Sequence, residues 1–159
     1  PVLGLRSPVH TIARMIKPLN ASAMIQGVFH PGYTDTHQGA AKLIGLQHMS
    51  VFKGEGGEIE RRPNKPLVVK SLHDGVMSEH EWPPLLPESR QPHDDEMDTA
   101  RLGAVWRDEL EDDYAVAAVT GTVALALATM GRTSDPADAQ AQATAMWLAR
   151  NRGQLGAAA

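Results

Sequence analysis

Residues 23–60 constrain the fold most: an apolar run, a helical segment and a second apolar run that passes directly into Lys53-Gly54-Glu55-Gly56-Gly57-Glu58. The first run, residues 23–30, is bounded by Asn20 and by Pro31-Gly32 and reads as a buried strand. Residues 34–46 read as a helix, with Thr34 or Asp35 as N-cap and Ala40, Ala41, Leu43 and Ile44 as the buried positions. Residues 49–52 make a second strand. This order predicts an α/β domain with a mostly parallel sheet and flanking helices. Glycines at a strand's end let the backbone approach a ligand, and α/β proteins bind ligands at the carboxyl edge of a parallel sheet.

The remaining segments supply the flanking layers. Ser7-Pro8 opens a helix whose apolar face is Val9, Ile12, Ala13 and Ile16, with His10, Arg14 and Lys17 opposite and Pro18 ending it. Residues 66–72 form a strand candidate beyond the basic turn Arg61-Arg62-Pro63-Asn64-Lys65. Residues 74–98 are proline-rich and acidic, which predicts a long loop with at most an edge strand near Val76. Helices are expected over residues 99–112, with Leu102, Val105, Trp106 and Leu110 near helical spacing, and over residues 114–130, buried on nearly every side and stopped by Gly131. Asp135-Pro136 starts a last helix. Trp82 falls in the loop, and Trp106 and Trp147 are expected to pack in the core. A chain of 159 residues suffices for one core, residues 1–159 forming one unit.

Several chemistries are excluded. The absence of cysteine removes disulfides, zinc-thiolate sites and a cysteine nucleophile, and it suits a cytoplasmic protein. The seven histidines form neither HxH nor HExxH spacing, and there is no GxSxG. No apolar run is long enough to span a membrane, and none is expected as a partner. The chain opens at Pro1 with no visible leader, so a portion of a longer protein is expected. The net charge of −4 hides an asymmetry: residues 1–77 carry nine Lys and Arg against five Asp and Glu, and all five lysines lie there. Arg61, Arg62, Lys65 and Lys70 crowd one turn, and Arg14 and Lys17 share a helix face, an arrangement compatible with phosphate-backbone binding. No aromatic residue is interleaved with them in sequence.

Two segments together resemble a known family. Leu3-Gly4-Leu5-Arg6-Ser7-Pro8-Val9-His10-Thr11, continuing to Lys17-Pro18, resembles the segment LGxRTxFNxLGPLxNP of the anthranilate phosphoribosyltransferases, and residues 53–60 resemble that family's HGxDGLDE. The spacing between them also fits. The resemblance is to the anthranilate phosphoribosyltransferase-like branch of glycosyltransferase family 3. It implies the C-terminal portion of a phosphoribosyltransferase α/β domain, of the class II nucleoside phosphorylase kind, without the helical N-terminal domain and the phosphate loop that precede it. In this register the family's arginine falls on Arg6, its asparagine on His10, its Gly-Pro pair on Ala13-Arg14, the loop histidine on Lys53, and the metal-binding Asp-Glu pair on Ile59-Glu60. An isoleucine cannot ligate magnesium.

Basic residues replacing neutral or acidic ones turn the expected cleft toward polyanions. The resemblance to a divergent branch associated with nonspecific nucleic-acid binding implies a nucleic-acid partner, held by Arg61, Arg62, Lys65 and Lys53 with Arg14 and Lys17 adding to the groove. The alternative expectation is glycosyl or phosphoribosyl transfer to an acceptor other than anthranilate. Arg6 and His10 would then lie near the acceptor, Glu58 and Glu60 would hold Mg2+, and phosphoribosyl diphosphate would be the donor. A homodimer is expected of the complete protein.

Overall fold

Alternation of side chains across the second strand organises the whole molecule. A computed structural model describes residues 8–87 and 98–154; the side chains of Pro8, His10, Thr11 and Pro18 lie outside that description. Strand β1 (Ala23–Val28) runs parallel to β2 (His48–Lys53), and α2 (Tyr33–Leu43) connects them, as the sequence predicts. On β2, Met49 and Val51 point to one face and join Val28, Ala41, Leu46 and Leu72 in a core beneath α2. Phe52 points to the other face and packs with Leu67, Val69 and Trp82 against Ala124, Leu125, Ala139 and Ala143. Those alanines and Leu125 belong to α4 (Asp113–Thr129) and α5 (Pro136–Leu148). The result is an α/β arrangement, a four-stranded sheet between helical layers.

The expectation of a mostly parallel sheet is corrected. The order is β1-β2-β3-β4, with β3 (Leu67–His73) antiparallel to β2, and β4 (Val76–Trp82) antiparallel to β3. A parallel return needs a crossover, usually a helix, and residues 54–66 carry only a short 3-10 turn at Glu55–Gly57, so the chain reverses. The second reversal is made by Asp74-Gly75, at φ 48° and 82°, the positive values that a two-residue type I′ hairpin turn requires. The edge strand expected near Val76 therefore exists and reaches Trp82, which is a buried core residue and not part of a loop.

Two helical faces also differ from expectation. Helix α1 spans Pro8–Ala13, and its apolar side chains Val9 and Ile12, with Ile16 just beyond it, stay about two-thirds exposed (68%, 64% and 64%). On α2 the inward residues are Thr34, His37, Gln38 and Ala41, while Leu43 and Ile44 face outward. Polar groups can take the inward face because each finds a partner: Gln38 Nε2 donates to the carbonyls of Ser71 and Ser78 at 2.7 and 2.9 Å, tying α2 to β3 and β4. No side chain caps α2, which begins after Gly32.

The later helices start on aspartate caps, of which the sequence pointed out only Asp135. Asp98 opens α3 (Thr99–Trp106), Asp112 opens α4, and Asp135 with Pro136 opens α5. Helix α3 ends earlier than residue 112 and leaves Leu102 and Leu110 exposed. Trp106 and Trp147 pack edge to face at 5.7 Å, with the Arg150 guanidinium 3.8 Å from the Trp147 ring centre. Among the described residues no helix is long and apolar enough to cross a membrane.

Candidate functional site

The glycine loop folds back across the carboxyl ends of β1 and β2 because two glycines leave room for it. The Gly54 N–H donates to the Val28 carbonyl at 3.0 Å, and the chain then turns through Gly56 and Gly57 at φ 56° and 85°. The carbonyl of Glu58 comes to lie over both strands: a Cβ on Gly27 would meet it at 2.2 Å and a Cβ on Gly54 at 1.8 Å. Arg14 reaches the same place from the residues after α1. Its Nη1 donates to the Gly27 carbonyl at 3.1 Å, and its Nη2 lies 3.2 Å from where a Gly57 Cβ would be. The two segments that carry the family resemblance thus meet, although 43 positions separate Arg14 from Gly57.

Beside this contact lies a cleft of about 470 Å³ lined by Arg14, Val28, Phe29, His30, Tyr33, His37 and Gly56. Buried Gln26 supports its floor, donating from Nε2 to the Arg14 carbonyl at 3.1 Å while its Oε1 lies 2.7 Å from His37 Nδ1. An amide oxygen only accepts, so His37 carries its proton on Nδ1 and keeps a lone pair on Nε2. Burial, with a smaller contribution from the Arg14 charge, pushes the His37 pKa below its usual 6.5. The unfolded chain then takes up this proton before the folded one, so the stability His37 contributes is present above pH 6.5 and is lost as pH falls below it. Urea unfolding at pH 7.5 and 5.5 is expected to show a larger loss for the unaltered chain than for His37→Gln; equal losses would remove His37 as the source.

Three aromatic rings rim the cleft, and the sequence reading missed them. Phe29 and Tyr33 are 49% and 56% exposed, and His30 packs between them at ring-centre distances of 4.7 and 6.1 Å. The signal was the run Phe29-His30-Pro31-Gly32-Tyr33, which places the rings within five positions just past a strand. They are not interleaved with the cations along the chain; the fold brings them to Arg14.

The predicted cations separate into three groups. Arg61 turns inward at 1% exposure: its backbone N–H donates to Thr122 Oγ1, its guanidinium donates to the Pro83 carbonyl and lies 5.2 Å from the Trp82 ring centre. Burial lowers its pKa to about 10. It presents no surface charge to a polyanion, which corrects the expectation for this residue. Arg62 is paired with Glu55, and Lys70 with Asp35 and Glu79, so their charges are already shared. Lys53 and Lys65 are exposed, Lys53 at the end of β2 opposite Val28, and Lys17 is half-buried beyond α1. Arg6 and the His10 side chain fall outside the described residues. Glu58 and Glu60 are exposed, with half-exposed Ile59 between them. Among the described residues no three or more His, Asp or Glu side chains gather as metal ligands.

No family model matches the chain. Anthranilate phosphoribosyltransferase of Polynucleobacter necessarius subsp. necessarius is 32% identical over 82 residues, which is 52% of this chain and 24% of the relative. That of Bordetella pertussis is 29% identical over the same length and shares. An uncharacterized protein of Aquifex aeolicus is 31% identical over 76 residues, 48% of this chain and 25% of its own. The chain thus matches only about a quarter of the length of these curated relatives. Over about half of its residues it is similar to the anthranilate phosphoribosyltransferases, and its α/β fold is that expected of part of a phosphoribosyltransferase-like domain.

Proposed function

We propose that this chain is a phosphoribosyltransferase-related α/β unit, part of a longer cytoplasmic protein that pairs as a homodimer, and that its cleft beyond β1 and β2 binds nucleic acid without sequence preference. The observation that carries this reading is the meeting of Arg14 with the exposed rings of Phe29 and Tyr33 at the strand ends. A cation for the phosphate and an aromatic face for the base are the two elements that sequence-tolerant single-strand binding combines. Lys53, Lys17 and Lys65 extend the cationic path; Arg62 contributes only what its pairing with Glu55 leaves, and Arg61 holds the loop from within.

Two variants test the two elements separately against a fluorescent single-stranded oligonucleotide. Lys53→Glu is expected to weaken binding and to lower the salt slope by at least about one unit, since a phosphate contact is lost. Phe29→Ala is expected to cost about 1–3 kcal/mol of affinity with the slope unchanged. Unaltered affinity and slope in both variants would place the binding elsewhere or nowhere.

A second reading rests on the similarity to the anthranilate phosphoribosyltransferases: transfer of a phosphoribosyl or related glycosyl group to an acceptor other than anthranilate. Ala13-Arg14 where that family has Gly-Pro, and Ile59 where it has a metal-binding carboxylate, weigh against the family's own reaction here. Release of diphosphate from phosphoribosyl diphosphate would favour transfer over binding.

A further inference from the structure

We propose that His48 and His73 form a two-imidazole site for a divalent transition-metal ion, Cu2+, Ni2+ or Zn2+, at the end of the sheet opposite the cleft. The strand register creates the pair: His48, first in β2, lies directly across from His73, last in β3, although 25 positions separate them. Their Nδ1 atoms are 3.1 Å apart. Two imidazole nitrogens bound to one metal at 2.0–2.1 Å lie roughly 2.9–3.4 Å apart as the angle between them opens from square to tetrahedral. The observed separation falls within that span before any metal enters.

The backbone holds the pair rigidly. Met49 and Leu72, the residues next to the two histidines, are fully buried in the core, and the Asp74 N–H donates to the Gln47 carbonyl at 2.8 Å to close the ladder beyond them. The site is reached from solvent, with the His48 side chain about a quarter exposed. Asp74 supplies a second observation pointing the same way. Its Oδ1 lies 3.9 Å from His48 Nε2, beyond hydrogen-bond reach but near enough to set a negative charge beside the imidazole that would bind a cation.

Without metal, one Nδ1–H donates to the other Nδ1. On binding, both Nδ1 lone pairs turn to the ion, and the proton of the donor ring passes through solvent to that ring's own Nε2, so no net proton is released. The Nε2–H of His48 then faces Asp74. No three or more protein ligands gather among the described residues, so water completes the coordination, and imidazole selects Cu2+, Ni2+ or Zn2+ over Mg2+. Sequence reading could not see this site, because neither HxH nor HExxH spacing is involved.

The test is calorimetric titration of the full chain with NiCl2 and CuCl2, with MgCl2 as control, together with NMR of the histidine ring protons. One equivalent is expected, Cu2+ binding tighter than Ni2+, with paramagnetic broadening centred on His48 and His73. His48→Ala and His73→Gln should each lower affinity at least tenfold, with unchanged far-ultraviolet circular dichroism. No saturable binding, broadening centred on another of the seven histidines, or equal affinity in the His48→Ala, His73→Gln double variant would overturn the proposal.

Discussion

Gly54→Ala is expected to destabilise the chain by about 3 kcal/mol and to abolish ligand binding at the cleft with it. The added methyl would sit 1.8 Å from the Glu58 carbonyl oxygen and 3.0 Å from its carbon. Those are backbone atoms, so no rotamer change relieves the overlap, and the loop must lift from the strand ends. Gly27→Ala meets the same carbonyl at 2.2 Å and should behave alike. Gly56→Ala is the control. Among the described residues nothing lies within 4 Å of its Cβ position, and its φ of 56° is what opposes a side chain, so a cost of about 1 kcal/mol is expected. Urea unfolding of the three variants measures the difference. Equal losses at positions 54 and 56 would mean that the glycines serve backbone conformation alone and that the Glu58 carbonyl does not rest on the strands.

Arg61→Glu is expected to cost on the order of 4 kcal/mol, enough to leave the chain largely unfolded. The guanidinium is enclosed by Trp82, the Pro83 carbonyl and α4, where Gly121 makes room for it: a Cβ there would strike Arg61 Cδ at 2.8 Å. A carboxylate in that place would accept from nothing and face the Pro83 carbonyl oxygen, a buried charge without a donor. Arg61→Met keeps the stem and removes the charge. Because the buried Nε has no hydrogen-bond partner among the described residues, losing the guanidinium removes a desolvation cost as well as one bond, and a change within about 1 kcal/mol is expected. Thermal unfolding of both variants decides the matter. A folded Arg61→Glu chain with weakened oligonucleotide binding would return Arg61 to the surface groove that its neighbours in sequence suggest.

The case of Arg61 also marks what sequence can and cannot disclose. Charge and turn residues place Arg61, Arg62 and Lys65 together, but not which of them points inward; that depends on a glycine 60 positions later and on a tryptophan at the end of an edge strand. The strand, helix, strand and glycine loop were legible because apolar runs and punctuation residues are local signals. Strand direction was not, since β3 reverses for want of a crossover helix, and the Asp74-Gly75 hairpin signal was submerged in a proline-rich acidic stretch. Charge and the family resemblance put Arg14 beside a basic groove, but its contact with the glycine loop, 43 positions away, appears only in the fold. Periodicity alone set Val9, Ile12 and Ile16 in a core, whereas they remain exposed in this chain.

The central claim is that the cleft at the ends of β1 and β2 holds a nucleic-acid strand through its phosphates. The most direct test is the affinity of the full chain for a fluorescent single-stranded oligonucleotide across a salt series. The account predicts binding at low salt whose logarithm falls linearly with the logarithm of salt concentration, with a slope of about −2 to −3 for the three or four cations available. Absence of binding at low salt, or binding indifferent to salt, would contradict it.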